Sequence, residues 1–378
     1  MKARVILGAE TGVAERPEET ALREGHPDAR RGGGPPGLEG RLRSWKLFPH
    51  EIVAVVFVAF GIVILERLPV TYPREGLVLA AYLPALGFAV STTLLLALRE
   101  AWRRWRGRPR TYPFAIEAIL LLRAAAVLLP VLSVHFLLKS FIWLVNPRTW
   151  DAFLWDADRF VHLGLSPSIL LTGAFTSGAF LRFLDVVYSN FYFLLIVVSV
   201  PVLLVLPDLN RRMGFLAAYT FMWIAGSLIY LAFPSWGPVF VVSDVFAESL
   251  RHMPATVRVQ QVLFGEISSL VNDPLALRYV RFGCVAAFPS LHLAVVTVFT
   301  AASRRLSRRW FLANVVIVFL MLIGSVVTGY HYLVDGWAGI VLGLGAFRAG
   351  SRLFLDKSGE EEAPPASGSS SPALLQRP

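Results

Sequence analysis

Long apolar blocks separated by short polar clusters make up most of the chain between residues 45 and 350. Eight of these blocks, at roughly 50–68, 77–98, 114–138, 184–206, 214–233, 287–307, 310–328 and 333–350, can cross about 30 Å of hydrocarbon at a rise of 1.5 Å per residue. The pattern predicts an all-α fold, a polytopic transmembrane helix bundle of about eight spans. The flanks read differently. Residues 1–44 are rich in Arg, Glu, Gly and Pro, and a Glu/Pro/Ser stretch closes the chain from about Ser358; such segments cannot bury enough apolar surface to order themselves. The expected division is a disordered tail over 1–44, accessory transmembrane helices over 45–138, a second membrane domain over 139–350 and a disordered tail over 351–378. No internal repeat is visible.

Composition agrees with a membrane protein. Of 378 residues, 55% are hydrophobic and 16% charged, and the mean hydropathy is +0.59, against about 25% charged residues in a soluble domain. The net charge of +10 would ordinarily raise nucleic-acid binding. Here the arginines alternate with apolar runs, which is the layout of a topology signal, so no nucleic-acid partner is expected. Arg99, Arg103, Arg104, Arg106, Arg108 and Arg110 crowd one connection, Arg211 and Arg212 another, and Arg304, Arg305, Arg308 and Arg309 a third. With the two tails these regions hold 25 of the 36 Lys and Arg residues, and eight spans place them all on one side. By the positive-inside rule that side, with both termini, is cytoplasmic. The connections near 139–183, 234–286 and 329–333 then face outward. The first of them carries Asp151, Asp156 and Asp158 among aromatics and ends in an apolar stretch, 165–175, too short to span; an interfacial or re-entrant helix fits it. The single cysteine, Cys284, leaves no intramolecular disulfide and no cysteine-based zinc site. The first forty residues lack an apolar core segment, so no signal peptide is expected.

Three ionisable residues sit where an apolar span should exclude them. His292 follows Phe288-Pro289-Ser290-Leu291. Pro289 suits a first helical turn, which would place Ser290 and His292 beside free backbone N–H groups and the positive end of the helix dipole, a setting that attracts phosphate. His331 and Asp335 lie four residues apart, hence on one helical face. The carboxylate can hold one imidazole nitrogen and leave the other as nucleophile or base. The 39 residues from His292 to His331 accommodate one span inward, an arginine turn and one span back, so both histidines reach the outer face. A nucleophilic imidazole, an orienting carboxylate and a second imidazole as acid make a set suited to phosphoryl transfer. His135, His162 and His252 have no such company and are assigned no chemistry.

At these residues the chain resembles the type 2 phosphatidic acid phosphatase superfamily. Its second signature, Pro-Ser-Gly-His, is matched by Pro289-Ser290-Leu291-His292, with Leu for Gly. The end of its third, Ser-Arg, five residues, His, three residues, Asp, is matched by His331 and Asp335, while Gly324 and Ser325 stand at the Ser-Arg positions. The first signature, a Lys and an Arg-Pro six residues apart, is not found. Phe288 to His292, Thr328 to Asp335 and Phe233-Pro234 resemble the inositol phosphorylceramide synthase-like branch. The resemblance covers roughly 140–350 and implies a phosphatase or phosphotransferase core within 139–350. It implies that His331 attacks phosphorus and forms a phosphohistidine, that Asp335 orients it, and that His292 protonates the leaving alkoxide and deprotonates the acceptor. It implies no metal and no cofactor. Ser290 is a candidate substrate-binding residue, as are Arg281 and Arg278, which lie ahead of Pro289 and are expected to replace the missing phosphate-binding arginine. The expected function is an integral membrane lipid phosphotransferase acting on a phospholipid or other lipid phosphate, with a polar alcohol or water as acceptor. The chain suits a bacterial inner membrane, with the site facing the periplasm. A lipid phosphate or polyprenyl diphosphate phosphatase with the same site is the alternative, and a transporter or scaffold the second.

Overall fold

In hydrocarbon a backbone N–H or C=O has no water to bond, so an apolar block can cross only by closing its hydrogen bonds within itself. The computed structural model describes residues 37–44, 46–68, 74–107, 112–189, 206, 208–272 and 285–355. Residues 1–37 fall in a unit of their own, and the fold begins at Leu38. In chain order its main helices are α1 (Leu38–Arg43), α2 (Pro49–Glu66), α3 (Arg74–Trp105), α4 (Phe114–Ser140), α5 (Asp151–Val161), α6 (Pro167–Ala174), α7 (178–189), α8 (Leu209–Ala232), α9 (Pro254–Asn272), α10 (Leu291–Ser303), α11 (Arg308–Val327) and α12 (Leu333–Leu355). The described residues contain no strand.

Among the described residues five helices are long and apolar enough to cross a membrane: α2, α4, α8, α11 and α12. The expected span 77–98 lies inside α3, and the expected span 184–206 begins in α7 but runs mostly outside the described residues. The expected span 287–307 is corrected to the 13-residue α10, about 20 Å long at 1.5 Å per residue. Ser290 is its N-cap residue, so Pro289 precedes the helix and His292 is its second residue. Both expected tails are shorter than 1–44 and 351–378. Leu38–Arg43 is a helix because Leu42 has a core to enter, and Arg41 stands 4.8 Å from the Phe48 ring centroid. Residues 351–355 continue α12, whose Phe354 packs on Phe48 and His50. The rest of both tails lies outside the described residues.

Local sequence sets the helix starts. Asp208 and Ser307 accept the N–H groups of Arg211 and Trp310 at 2.7 and 3.2 Å, and Ser166 caps α6. These side chains satisfy donors that a helix leaves without partners. Helix α8 is central, packing against α12, α10, α4 and α2. Its apolar window is 67% buried, against 33% for α2, whose Val55 and Val56 face outward.

Helix α12 approaches its neighbours through glycine. A Cβ on Gly350 would lie 2.3 Å from the Gly214 carbonyl of α8, and one on Gly343 2.6 Å from the Ala294 carbonyl of α10. Small residues that let backbones meet are how helices pack without a hydrophobic drive between them. Arginine–glutamate pairs gather at the other end of the bundle from His292 and His331. There Arg123 Nη2 lies 2.5 Å from Glu51 Oε2, both side chains 4% exposed, and Glu117 pairs with Arg99 and Arg212.

Candidate active site

Three helix ends and two loops meet at the end of the bundle opposite the arginine clusters. Helix α10 starts there with His292, α12 starts with Asp335, and the turn 328–332 between α11 and α12 carries His331. Backbone bonds lock these pieces together. The Ser290 N–H donates to the Asp335 carbonyl (3.0 Å), the His331 N–H to the Ser325 carbonyl (3.2 Å) and the Val239 N–H to the Gly329 carbonyl (2.9 Å). Gly237 and Gly329 have φ of +93° and +76°, and a Cβ on Gly237 would sit 2.4 Å from the Tyr330 carbonyl. Positive φ and that close approach both call for glycine.

The His292 and His331 ring centroids are 5.6 Å apart, edge to face. His331 Nδ1 lies 3.5 Å from Asp335 Oδ2, longer than a closed hydrogen bond. The same oxygen accepts the Tyr332 N–H at 3.0 Å, the bond an acidic residue in a first helical turn makes to the backbone before it. Asp335 is fully buried behind His331. Burial lowers the His331 pKa to about 3; the charge of Lys139 acts the same way, against a smaller opposing effect of the Ala287 carbonyl. The imidazole is therefore neutral at physiological pH, the form a nucleophile needs. Tyr188 of α7 packs against His292 with its ring tilted by 31° and centroids 4.9 Å apart, its hydroxyl 3.4 Å from Nδ1.

These rings wall a cavity of about 230 Å³ lined also by His135, Lys139, Ser189, Tyr230 and Tyr330. Lys139 was missed in the sequence. Six residues separate it from Asn146 and Pro147, the spacing of the first signature with Asn in place of Arg. Asn146 does other work: its Nδ2 donates to the Leu231 carbonyl at 2.9 Å, tying the end of α4 to the end of α8. Lys139, near the end of α4, stands 5.7 Å from the Tyr230 ring centroid.

The other candidates fare differently. Ser290 is not a lining residue; its Oγ is buried without a partner. Arg278 and Arg281 lie outside the described residues, as does Cys284. Arg251, in the same connection, is exposed and pairs with Glu248 at 2.9 Å. Ser325, at the position of the family's arginine, bonds the Leu322 carbonyl of its own helix.

Two aspartates of α5 brace the turn that carries His331. Seven residues apart, they share the buried face of that helix. Asp151 accepts the N–H groups of Trp236 and Gly237 at 2.9 Å each and the Tyr332 hydroxyl at 3.1 Å. Asp158 accepts the Val334 N–H at 2.8 Å. Burial raises the pKa of both, and these donors pull it back. Burial also raises the Tyr332 phenol, helped by the Asp151 charge, so Tyr332 remains a donor. Replacing Asp151 with Ala would leave three donors without their acceptor. The expected result is a loss of roughly 1.5–3 kcal/mol of stability, read as a lower midpoint of thermal unfolding in detergent, with a fall in any activity that depends on His331. An unchanged midpoint would show that the brace contributes nothing.

A family model described as the PAP2 superfamily matches residues 152–349. The comparisons with curated proteins and with solved structures give no match.

Proposed function

The chain belongs to the PAP2 superfamily, and on that footing we propose that it is an integral membrane lipid phosphotransferase of the inositol phosphorylceramide synthase-like kind, working through a phosphohistidine and without metal. The observation that carries this reading is the pairing of His292 with a buried, neutral His331 on the wall of one cavity, beside the cation of Lys139. In the first step His331 Nε2, the nitrogen away from Asp335, attacks phosphorus. A P–N bond forms, the P–O bond to the leaving alkoxide breaks, and an imidazolium at His292 gives that alkoxide its proton. In the second step the acceptor hydroxyl gives its proton to His292, a new P–O bond forms and the P–N bond breaks. Lys139 faces the negative charge spread over the phosphoryl oxygens in both transition states. That assigns it the clamp first expected of Arg278 and Arg281.

The arginine clusters support an orientation. Helix α10 starts at the site and ends at Arg304, and α11 starts at Arg308 and returns to the site. Site and arginines are thus at opposite ends of the same helices. The positive-inside rule puts the site on the outer face, the periplasmic face of a bacterial inner membrane, and both termini in the cytoplasm.

The test is an assay of the purified chain and its Lys139→Met variant on head-group-labelled phospholipid, with chelator, with and without added alcohols. A new phosphodiester formed at a rate about 10²–10³-fold lower in the variant is expected, the range seen when one transition-state donor is removed. Head-group phosphate monoester as the sole product would make the protein a hydrolase with the same site. A product formed equally well by the variant would remove Lys139 from the mechanism.

A further inference from the structure

His135, in the last turns of α4, is one turn before Lys139 and lines the same cavity. The hydrogen bonds around it fix its tautomer. Ser227 of α8 donates its hydroxyl to the Trp223 carbonyl at 2.6 Å. A carbonyl has no proton to give, and a serine hydroxyl has only one, so that proton is committed there. The Ser227 oxygen lies 2.8 Å from His135 Nδ1 and can only accept. Nδ1 therefore carries the hydrogen, and Nε2 carries an in-plane lone pair. Trp223, Phe136 and Tyr230 pack around the ring, at 4.8, 5.2 and 5.8 Å between centroids, and hold its orientation. Nε2 has no hydrogen-bond partner among the described residues and is not sealed from the cavity.

The site thus presents two groups of opposite character on one face of α4. Lys139 is a cation suited to phosphoryl oxygens. His135 Nε2 is a neutral acceptor that repels such oxygens and attracts an O–H donor. We propose that His135 holds the acceptor of the second step, a hydroxyl-bearing small molecule, by an O–H···Nε2 hydrogen bond. A liquid water takes about 30 Å³, so the 230 Å³ cavity has room for an alcohol of several carbons beside a phosphoryl group. The cavity thus admits an alcohol as the acceptor held at His135. The inference rests on the two-step reading above, with His292 still taking the acceptor's proton and His135 supplying position.

The two half-reactions separate the claims. Wild type and His135→Phe, which keeps the ring's shape and loses its acceptor, are mixed with phospholipid labelled in its diacyl portion and, in a parallel reaction, in its head group. The burst of released lipid alcohol reports the first step, and partition of the head-group label between new phosphodiester and head-group phosphate monoester at increasing glycerol or inositol reports the second. The expected result is an unchanged burst and a phosphodiester-to-monoester ratio at least tenfold lower in the variant. Ser227→Ala, which frees the tautomer without touching the cavity, should lower the ratio less, and it serves alone if the Phe variant does not fold. A ratio unchanged in both variants, or a burst and transfer that fall together, overturns the assignment. Loss of the head-group monoester in step with phosphodiester would show that water is what His135 holds, and would overturn the choice of an alcohol. No burst in the wild type would overturn the two-step reading itself, and this inference with it.

Discussion

Replacing His331 with Ala is expected to abolish turnover, lowering the rate by about 10⁴-fold or more, as removal of a covalent nucleophile does elsewhere. In the proposed mechanism no other group takes its place: His292, 5.6 Å away between ring centroids, is the acid, Lys139 faces the phosphoryl oxygens, and His135 holds the acceptor. The backbone around position 331 does not rely on the side chain: its N–H bonds the Ser325 carbonyl, and Asp335 keeps its bond to the Tyr332 N–H. The variant should therefore fold, which a thermal unfolding curve in detergent would check. Two measurements decide the outcome. One is product formation from labelled lipid; the other is acid-labile, base-stable label on the protein, present in wild type and absent in the variant. Turnover within tenfold of wild type would exclude a phosphohistidine at this residue.

The second large effect is expected far from any reacting atom. A Cβ added at Gly339 would stand 2.2 Å from the Ser290 carbonyl oxygen, 3.1 Å from its carbon and 3.2 Å from the Leu293 Cβ. The first two contacts are backbone, so no side-chain rotation relieves them. Helix α12 must move from α10, and that strains the Ser290 N–H bond to the Asp335 carbonyl and the juxtaposition of His292 with His331. Gly339→Ala should cost about 1–3 kcal/mol of stability, as overpacking a close contact does. It should also lower kcat by about 100-fold, since a displacement near 1 Å is enough for that. Gly345→Ala is the control: nothing lies within 4 Å of its added Cβ, and both quantities should stay at wild-type values. A Gly339 variant indistinguishable from this control would mean that the two helices are not held at the observed separation.

Five of the eight expected spans, α2, α4, α8, α11 and α12, were legible because hydrophobicity over twenty residues is a local property. His292, His331 and Asp335 were legible because each is costly inside an apolar block. Lys139 has the same anomaly at the end of a span, yet the signature that would have marked it carries Asn146 in place of arginine, and that asparagine answers to the end of α8 instead. His135 gave no signal at all. Its meaning depends on Ser227, 92 residues away, and on which atom that hydroxyl already serves. Asp151 reads from sequence as one more interfacial acid; its bond to Tyr332 spans 181 residues, a pairing that only tertiary structure supplies. The start of α10 was misplaced by four residues because Pro289 fits both the first turn of a helix and the turn before one. The glycine contacts of α12 were equally silent, since a glycine in an apolar run does not announce what lies against it.

The ion pair between Glu51 and Arg123 has a consequence for how the chain is built. Glu51 stands in the first turn of α2, and its partner is made 72 residues later, in α4. A charge with no partner is costly in hydrocarbon, so the first turn of α2 depends on α4 for its neutralisation, and loss of Arg123 would leave that acid buried and uncompensated. Glu117 is served from both directions along the chain, by Arg99 before it and by Arg212, 95 residues after it. The arginine end of the bundle is thus held by ion pairs that join early helices to later ones.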